Sequence, residues 1–248
     1  MNEPNRLLVS CICVTRNKSA LLNRAIDCFL YQTQKEIELL ILYEDDDQDT
    51  ISFIENYPLH PNIILIKETA IPKKTLGELR NIAIERSSGL YFCQWDDDDW
   101  YHPYRIESQL YFIRQMNSDV VILTKWILYD SQTEKAYLSN LRMWEGSILC
   151  KKEVTKNVAY REVSKGEDTE FVHYLANNFE LIGINNMPYL YIYTYNGLNT
   201  WNYSHFRQII NASMKLSEKY SELIKQVINE KPDYKMISKI TTYIEELL

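Results

Sequence analysis

Two hydrophobic rhythms run along this chain, and each predicts its own elements. Leu7 to Val14 is an almost unbroken apolar run closed by Thr15-Arg16-Asn17, which predicts a central strand covered on both faces. Over Ser19 to Tyr31 the spacing changes: Leu22, Ala25, Ile26, Phe29 and Leu30 recur at the helical interval and predict an amphipathic helix. Glu38 to Tyr43 reads as a second strand. A strand, helix and strand within about 40 residues is the signature of a right-handed parallel βαβ unit. Ile63 to Ile66 predicts a third strand. Thr75-Leu76-Gly77-Glu78 fits a capping box before a helix carrying Leu79, Ile82 and Ala83, with Gly89 closing that region. Tyr91 to Trp95 then reads as a short buried strand, and Pro103 as the first turn of a helix bearing Ile106, Leu110 and Ile113.

The rest of the chain obeys the same two periods. Asp119 to Thr124 and Ser147 to Cys150 predict strands, and Trp126 to Tyr129 with Lys135 to Leu138 reads as a hairpin or an insertion. Phe171, Leu175 and Phe179 place a helix after Glu167. Tyr189, Tyr191, Tyr193 and Tyr195 alternate with Leu190, Ile192 and Thr194, as in a strand with one tyrosine-lined face. From Phe206, the positions Ile210, Met214, Ser217, Tyr220, Ile224 and Val227 trace one helical face. After Lys231-Pro232, Ile237, Ile240, Ile244 and Leu247 trace another. Both faces fit docking on the core or on a second copy of the chain, as in a homodimer. The expected organisation is an α/β domain over residues 1–205 with a C-terminal helical extension over 206–248.

Composition narrows the class. The chain has 248 residues, 46% of them hydrophobic, enough for one sizeable core. Lys and Arg number 27 against 34 Asp and Glu, a net charge of −7 that argues against a general nucleic-acid binder. Five cysteines without a C-x-x-C pair suit a reducing, cytoplasmic setting. No apolar run approaches the ~18 residues of a membrane span, which restricts membrane contact to the periphery.

The chemistry concentrates in Asp96-Asp97-Asp98-Asp99, four carboxylates placed directly after a predicted strand. Adjacent like charges are costly unless a cation compensates them, and all-oxygen ligands suit Mg²⁺ or Mn²⁺. In an extended chain Asp96 and Asp98 share one side, Asp97 and Asp99 the other. A second acidic cluster, Glu44 to Asp49, comes after the second strand. It is not an EF-hand, because Thr50 and Asn56 stand where that loop needs Gly and Glu. Neither a G-x-G-x-x-G loop nor a P-loop occurs, so a phosphate must be held by a metal and side chains. Arg80 reads either as a surface helical cation or as a fork toward a pyrophosphate or base.

The ordered set of Val9 to Asn17, Ile41 to Asp46, Arg80 to Ala83, Trp95 to Trp100 and Gly166-Glu167-Asp168 resembles the family 2 glycosyltransferases of the GT-A fold, over roughly the first 200 residues. The resemblance implies a Rossmann-like, mostly parallel sheet with flanking helices. It also implies an inverting, metal-dependent transfer from a nucleoside-diphosphate-sugar, of UDP type, to a glycan or lipid-linked acceptor in cell-surface polysaccharide synthesis. Carried over residue by residue, Thr15, Arg16, Glu44 or Asp45, Arg80 and Asp97 would contact the donor. Asp96 and Asp98 would form the D-x-D on Mn²⁺ or Mg²⁺, with Asp99 and His205 as further ligands. Asp168 would take the acceptor's proton, with Glu167 beside it. The run Glu44-Asp45-Asp46-Asp47 departs from the family's D-D-G-S. Trp144 is a candidate for stacking on a sugar ring. A nucleotidyltransferase would use similar carboxylates, but Thr15-Arg16-Asn17-Lys18 lacks its glycine-rich loop. A non-catalytic, metal-dependent sugar-binding module is separated from an enzyme by Asp168→Asn, which a binder would tolerate.

Overall fold

The computed structural model describes residues 8–58, 60–230 and 234–247; Leu7 and the Lys231-Pro232 break lie outside them. In chain order the elements are β1 (Val9–Val14), α1 (Ser19–Leu30), β2 (Ile37–Glu44), α2 (Gln48–Asn56), β3 (Ile63–Glu68), α3 (Leu76–Arg86), β4 (Tyr91–Gln94), β5 (Trp100–Tyr101), α4 (Arg105–Met116), β6 (Val120–Leu123), β7 (Ile127–Asp130), β8 (Lys135–Leu138), β9 (Trp144–Lys151), α5 (Glu167–Asn178), β10 (Leu181–Ile184), β11 (Tyr191–Tyr195), α6 (Tyr203–Asn211), β12 (Met214–Lys215), α7 (Glu218–Asn229) and α8 (Tyr234–Leu247).

The larger sheet has seven strands in the order β10-β6-β9-β4-β1-β2-β3. Neighbouring strands run parallel except for β9, which is antiparallel to both β4 and β6. Residue alternation sorts its two faces. Cys11, Cys13, Leu39 and Ile41 face α1 and α4, whereas Ile12, Leu40, Leu42 and Phe92 pack with Leu79 and Ala83 of α3 and Phe171 of α5. Burial on both sides is why β1 and β2 read as continuous apolar runs. The strand order reverses between β1 and β4, so the crevice beyond their carboxyl ends is where such a sheet takes a ligand.

A second sheet, in the order β12-β8-β7-β11-β5, stands beside the first. The expected hairpin is present as β7 and β8. The chain passes from β4 in one sheet to β5 in the other through Asp96–Asp99, and the acidic run is a turn. The extended alternation expected there is therefore absent, because the strand ends at Gln94 and the backbone must redirect. Two other expectations are corrected. Pro103 precedes the helix, which begins at Arg105. The face from Phe206 to Val227 is not one helix. It breaks after Asn211, and Met214–Lys215 pairs with β8 as the edge strand of the second sheet. Leu247 is 39% exposed, outside the α8 face of Ile237, Ile240 and Ile244 that enters the core. All four tyrosines from Tyr189 to Tyr195 are buried, with Tyr189 in a turn before β11.

Candidate active site

An open cleft lies over the β1–β4 switch point. Its floor comes from Val14 and Lys18 after β1 and from Gln94 and Asp96 to Asp99 at and after the end of β4. One wall carries Leu76, Arg80 and Gly166 to Thr169. The other carries Arg142, Trp144, Glu145 and Gly146, with Tyr193, Asn199 to Trp201 and His205 beyond them.

The acidic turn is held by a different partner at each position. Asp96 Oδ1 accepts from Arg80 Nη2 at 2.8 Å, and Gln94 Nε2 donates to both its oxygens. Asp97 and Asp98 share the Lys18 ammonium, at 3.1 Å and 2.9 Å. Asp98 also accepts from Asn199 Nδ2 at 3.2 Å, while its backbone carbonyl accepts from Arg24. Asp99 is sealed in: one oxygen accepts from Thr194 N at 2.9 Å and the other from the Tyr191 hydroxyl. Burial pushes the Asp97 carboxyl up to about 7, with the charge of Asp98 adding to it and Lys18 opposing it. Burial also raises Asp99 well above the carboxylate range.

The candidate base pair opens α5. Gly166 adopts φ 68, a left-handed backbone that favours glycine, and the helix starts with Glu167 and Asp168 in its first turn, where the dipole favours acids. Glu167 is 3% exposed and accepts from Arg80 Nη1. Asp168 Oδ2 stands 3.7 Å from the same Nη1 and faces the cleft. Burial raises both carboxyls, against the pull of Arg80. Arg80 is 6% exposed, so it is not a surface cation: its fork spans Asp96, Glu167 and Asp168, with Tyr160 stacked at 5.6 Å. The fork expected for a pyrophosphate or base is filled by carboxylates.

The predicted donor residues assemble at the ends of β1 and β2. Thr15 is buried and its N–H donates to Leu42 O. Arg16 donates to Glu44 Oε2 at 2.8 Å and forks onto both oxygens of Asp46 at 2.7 and 2.8 Å. Glu44 also meets Lys73, while its Oε1 is buried with no partner. Asp45 is exposed and accepts from Ala70 N. Asp47 caps α2, an assignment of local structure that explains part of the second acidic cluster.

The expected ligand set of Asp96, Asp98, Asp99 and His205 is not gathered into a cage: among the described residues no three His, Cys, Asp or Glu side chains converge on one metal position. His205 lines the cleft with its ring stacked on Trp201 at 4.4 Å. The donor set nevertheless fits a hard cation, since Mg²⁺-type sites use one or two carboxylates and complete the shell with waters and phosphates. Trp144 stacks on Trp126 at 4.8 Å and lines the wall, its Nε1 without a partner. Sequence reasoning missed Lys18, Arg24 and Glu145. Lys18 adjoins the Thr15–Asn17 segment, and a cation owed to four carboxylates was the signal that pointed to it.

The fold and cleft define an α/β domain whose ligand crevice lies at its topological switch. The model of Glycosyl transferase family 2 matches residues 10–168, and the chain belongs to that family. An uncharacterized glycosyltransferase of Rickettsia prowazekii is 29% identical over 131 residues, 52% of this chain and 40% of its own. Chondroitin synthase of Escherichia coli is 30% identical over 101 residues, 40% of this chain and 14% of its own. The chain thus spans less than half the length of these relatives. Among solved structures, S. aureus TarS 1-349 in complex with UDP-GlcNAc superposes with a TM-score of 0.64 at 16% identity, covering 96% of this chain and 71% of TarS 1-349. The mannosyltransferase PcManGT of Pyrobaculum calidifontis, in complex with GDP-Man and Mn²⁺, gives 0.61 at 13% identity, covering 95% and 69%. These likenesses establish the GT-A fold.

Proposed function

We propose that this chain is an inverting glycosyltransferase that moves a sugar from a UDP-sugar to a hydroxyl of a glycan or lipid-linked acceptor, with Mn²⁺ or Mg²⁺ bound at Asp96 and Asp98. The supporting observation is that one buried guanidinium, Arg80, ties the acidic turn to the Asp168 pair across a single cleft. Asp168 accepts the acceptor's proton as the new bond forms, because a sugar hydroxyl is too weak an acid to attack unaided at neutral pH. Glu167, pinned by Arg80, holds the guanidinium in place and leaves Asp168 exposed to the cleft. Glu44, with a free buried oxygen, and Thr15 and Arg16 take the nucleoside end. A divalent ion held by Asp96 and Asp98 would supply positive charge for the departing diphosphate. The second reading of Asp99 is structural: with both oxygens engaged, it fastens the turn to β11 and does not ligate.

The UDP choice draws on the TarS complex with UDP-GlcNAc, and the cation on the PcManGT complex with Mn²⁺. A polysaccharide acceptor is suggested by the name of the chondroitin synthase relative. Among the described residues no helix is long and apolar enough to cross a membrane, and all five cysteines are buried and unpaired; we place the enzyme in the cytoplasm. Calorimetric titration of UDP and GDP with and without Mn²⁺ tests the reading. Wild type is expected to bind UDP with Mn²⁺ dependence, and Asp98→Ala to lose that dependence. Equal affinities in all four titrations would overturn it.

A further inference from the structure

Lys18 has no part in the transfer chemistry, yet its ammonium occupies the centre of the acidic turn. Nζ is 3.1 Å from Asp97 Oδ1 and 2.9 Å from Asp98 Oδ2, and the side chain is only 16% exposed. The same Asp98 oxygen accepts from Asn199 Nδ2 at 3.2 Å and is 3.5 Å from Asn196 Nδ2. Three donors therefore converge on one carboxylate oxygen. The Lys18 carbonyl accepts from Leu21 and Leu22 at the start of α1, which anchors the backbone and leaves the side chain as the part that can move. Burial works against the charge of this amine, but Asp98 and Asp97 outweigh it and hold it protonated.

We propose that Lys18 is the resident counter-ion of the acidic turn and competes with the divalent cation for Asp98 Oδ2, so that the cation enters only as the ammonium leaves. An ammonium has three donors and no lone pair, so it cannot share a coordination shell as a ligand. A hard cation sits roughly 2.0–2.6 Å from its carboxylate oxygens. Two cations on one oxygen at these distances repel strongly in a buried site. The Asn199 amide must also give up its bond to Oδ2, while its bonds with Thr194 O and Asn196 N keep its loop in place. The cost of these exchanges lowers cation affinity, and the gain is an acidic turn that stays neutralised without metal.

This inference rests on the metal-dependent reading, and the test separates the two. MnCl₂ is titrated, with and without UDP, into wild type and Lys18→Met by electron paramagnetic resonance. Lys18→Met is expected to bind Mn²⁺ about tenfold more tightly and to melt a few degrees lower when metal-free. Equal or weaker binding by Lys18→Met overturns the competition and leaves the metal reading intact. Absence of Mn²⁺ uptake by both proteins overturns the metal reading, and the competition with it. A measurement on wild type alone guards against a variant that does not fold: reductive methylation of Lys18, read by mass spectrometry, is expected to accelerate at saturating Mn²⁺. An unchanged rate with Mn²⁺ bound refutes the displacement.

Discussion

Glu167 and Asp168 are adjacent acids in one helical turn, and their surroundings divide the labour between them. Arg80 is in direct contact with Glu167 and 3.7 Å from Asp168 Oδ2, so Glu167 is the more tightly held of the two, which is why Asp168 is the proposed base. Asp168→Asn keeps the shape and removes the proposed base. Transfer is expected to fall about 10²–10⁴-fold with UDP affinity retained. Glu167→Gln should instead weaken the hold on Arg80 and lower turnover less. Steady-state kinetics and nucleotide titration of both variants check this, and an Asp168→Asn enzyme of undiminished turnover would move the base elsewhere. Sequence proximity alone left the pair undivided, because its division depends on a guanidinium 87 positions away.

At the scale of elements, the capping box shows how much was local. Thr75 Oγ1 accepts from Glu78 N at 3.3 Å while Glu78 Oε2 accepts from Thr75 N at 2.7 Å, all within four residues and therefore readable from the chain. The packing of the helix it starts was not readable. Gly77, in the first turn of α3, donates to Val163 O at 3.1 Å, and a Cβ there would run into the Arg161 carbonyl. The missing side chain lets α3 lie against the segment that leads into α5, and so brings Arg80 to Glu167. Gly77→Ala must push backbone, not a flexible side chain. It is expected to cost about 1–3 kcal/mol of stability and to impair transfer beyond what that loss explains. Urea denaturation beside specific activity at low temperature checks both. The tyrosine alternation was legible as a strand, but that Tyr191 reaches Asp99 was not, since the pairing of β11 with β5 joins residues some ninety positions apart.

Across the whole molecule, the C-terminal helices hold the second sheet in place. Ile237, Ile240 and Ile244 enter the main core, and Thr241 on α8 meets His102 Nε2 at 3.3 Å. His102 Nδ1 accepts from Tyr104 N at 3.1 Å, so the ring is neutral with its proton on Nε2. Burial lowers its pKa to about 3. The unfolded chain takes up this proton below about pH 6.5, whereas the folded site refuses it until far lower. Stability is therefore lost as the pH falls through that window, by about 2 kcal/mol between pH 6.5 and 4.5 from this group. His102→Gln should flatten that slope. Denaturation midpoints at the two pH values check it, and parallel slopes would show that His102 is not the acid-sensitive group.

By itself the sequence determined β1 to β4 with the helices α1 and α3, though not α2 or β10, the two acidic clusters at strand ends and the resemblance to the family. Each of these rests on short-range periodicity or on neighbours a few residues apart. Only the tertiary structure decided that the acidic run is a turn between two sheets and that Arg80 is buried. It also decided that Lys18 sits on Asp97 and Asp98, nearly eighty positions away. A charge declares in sequence that it needs a partner; which partner it finds depends on the packing that brings distant segments together and excludes water from between them.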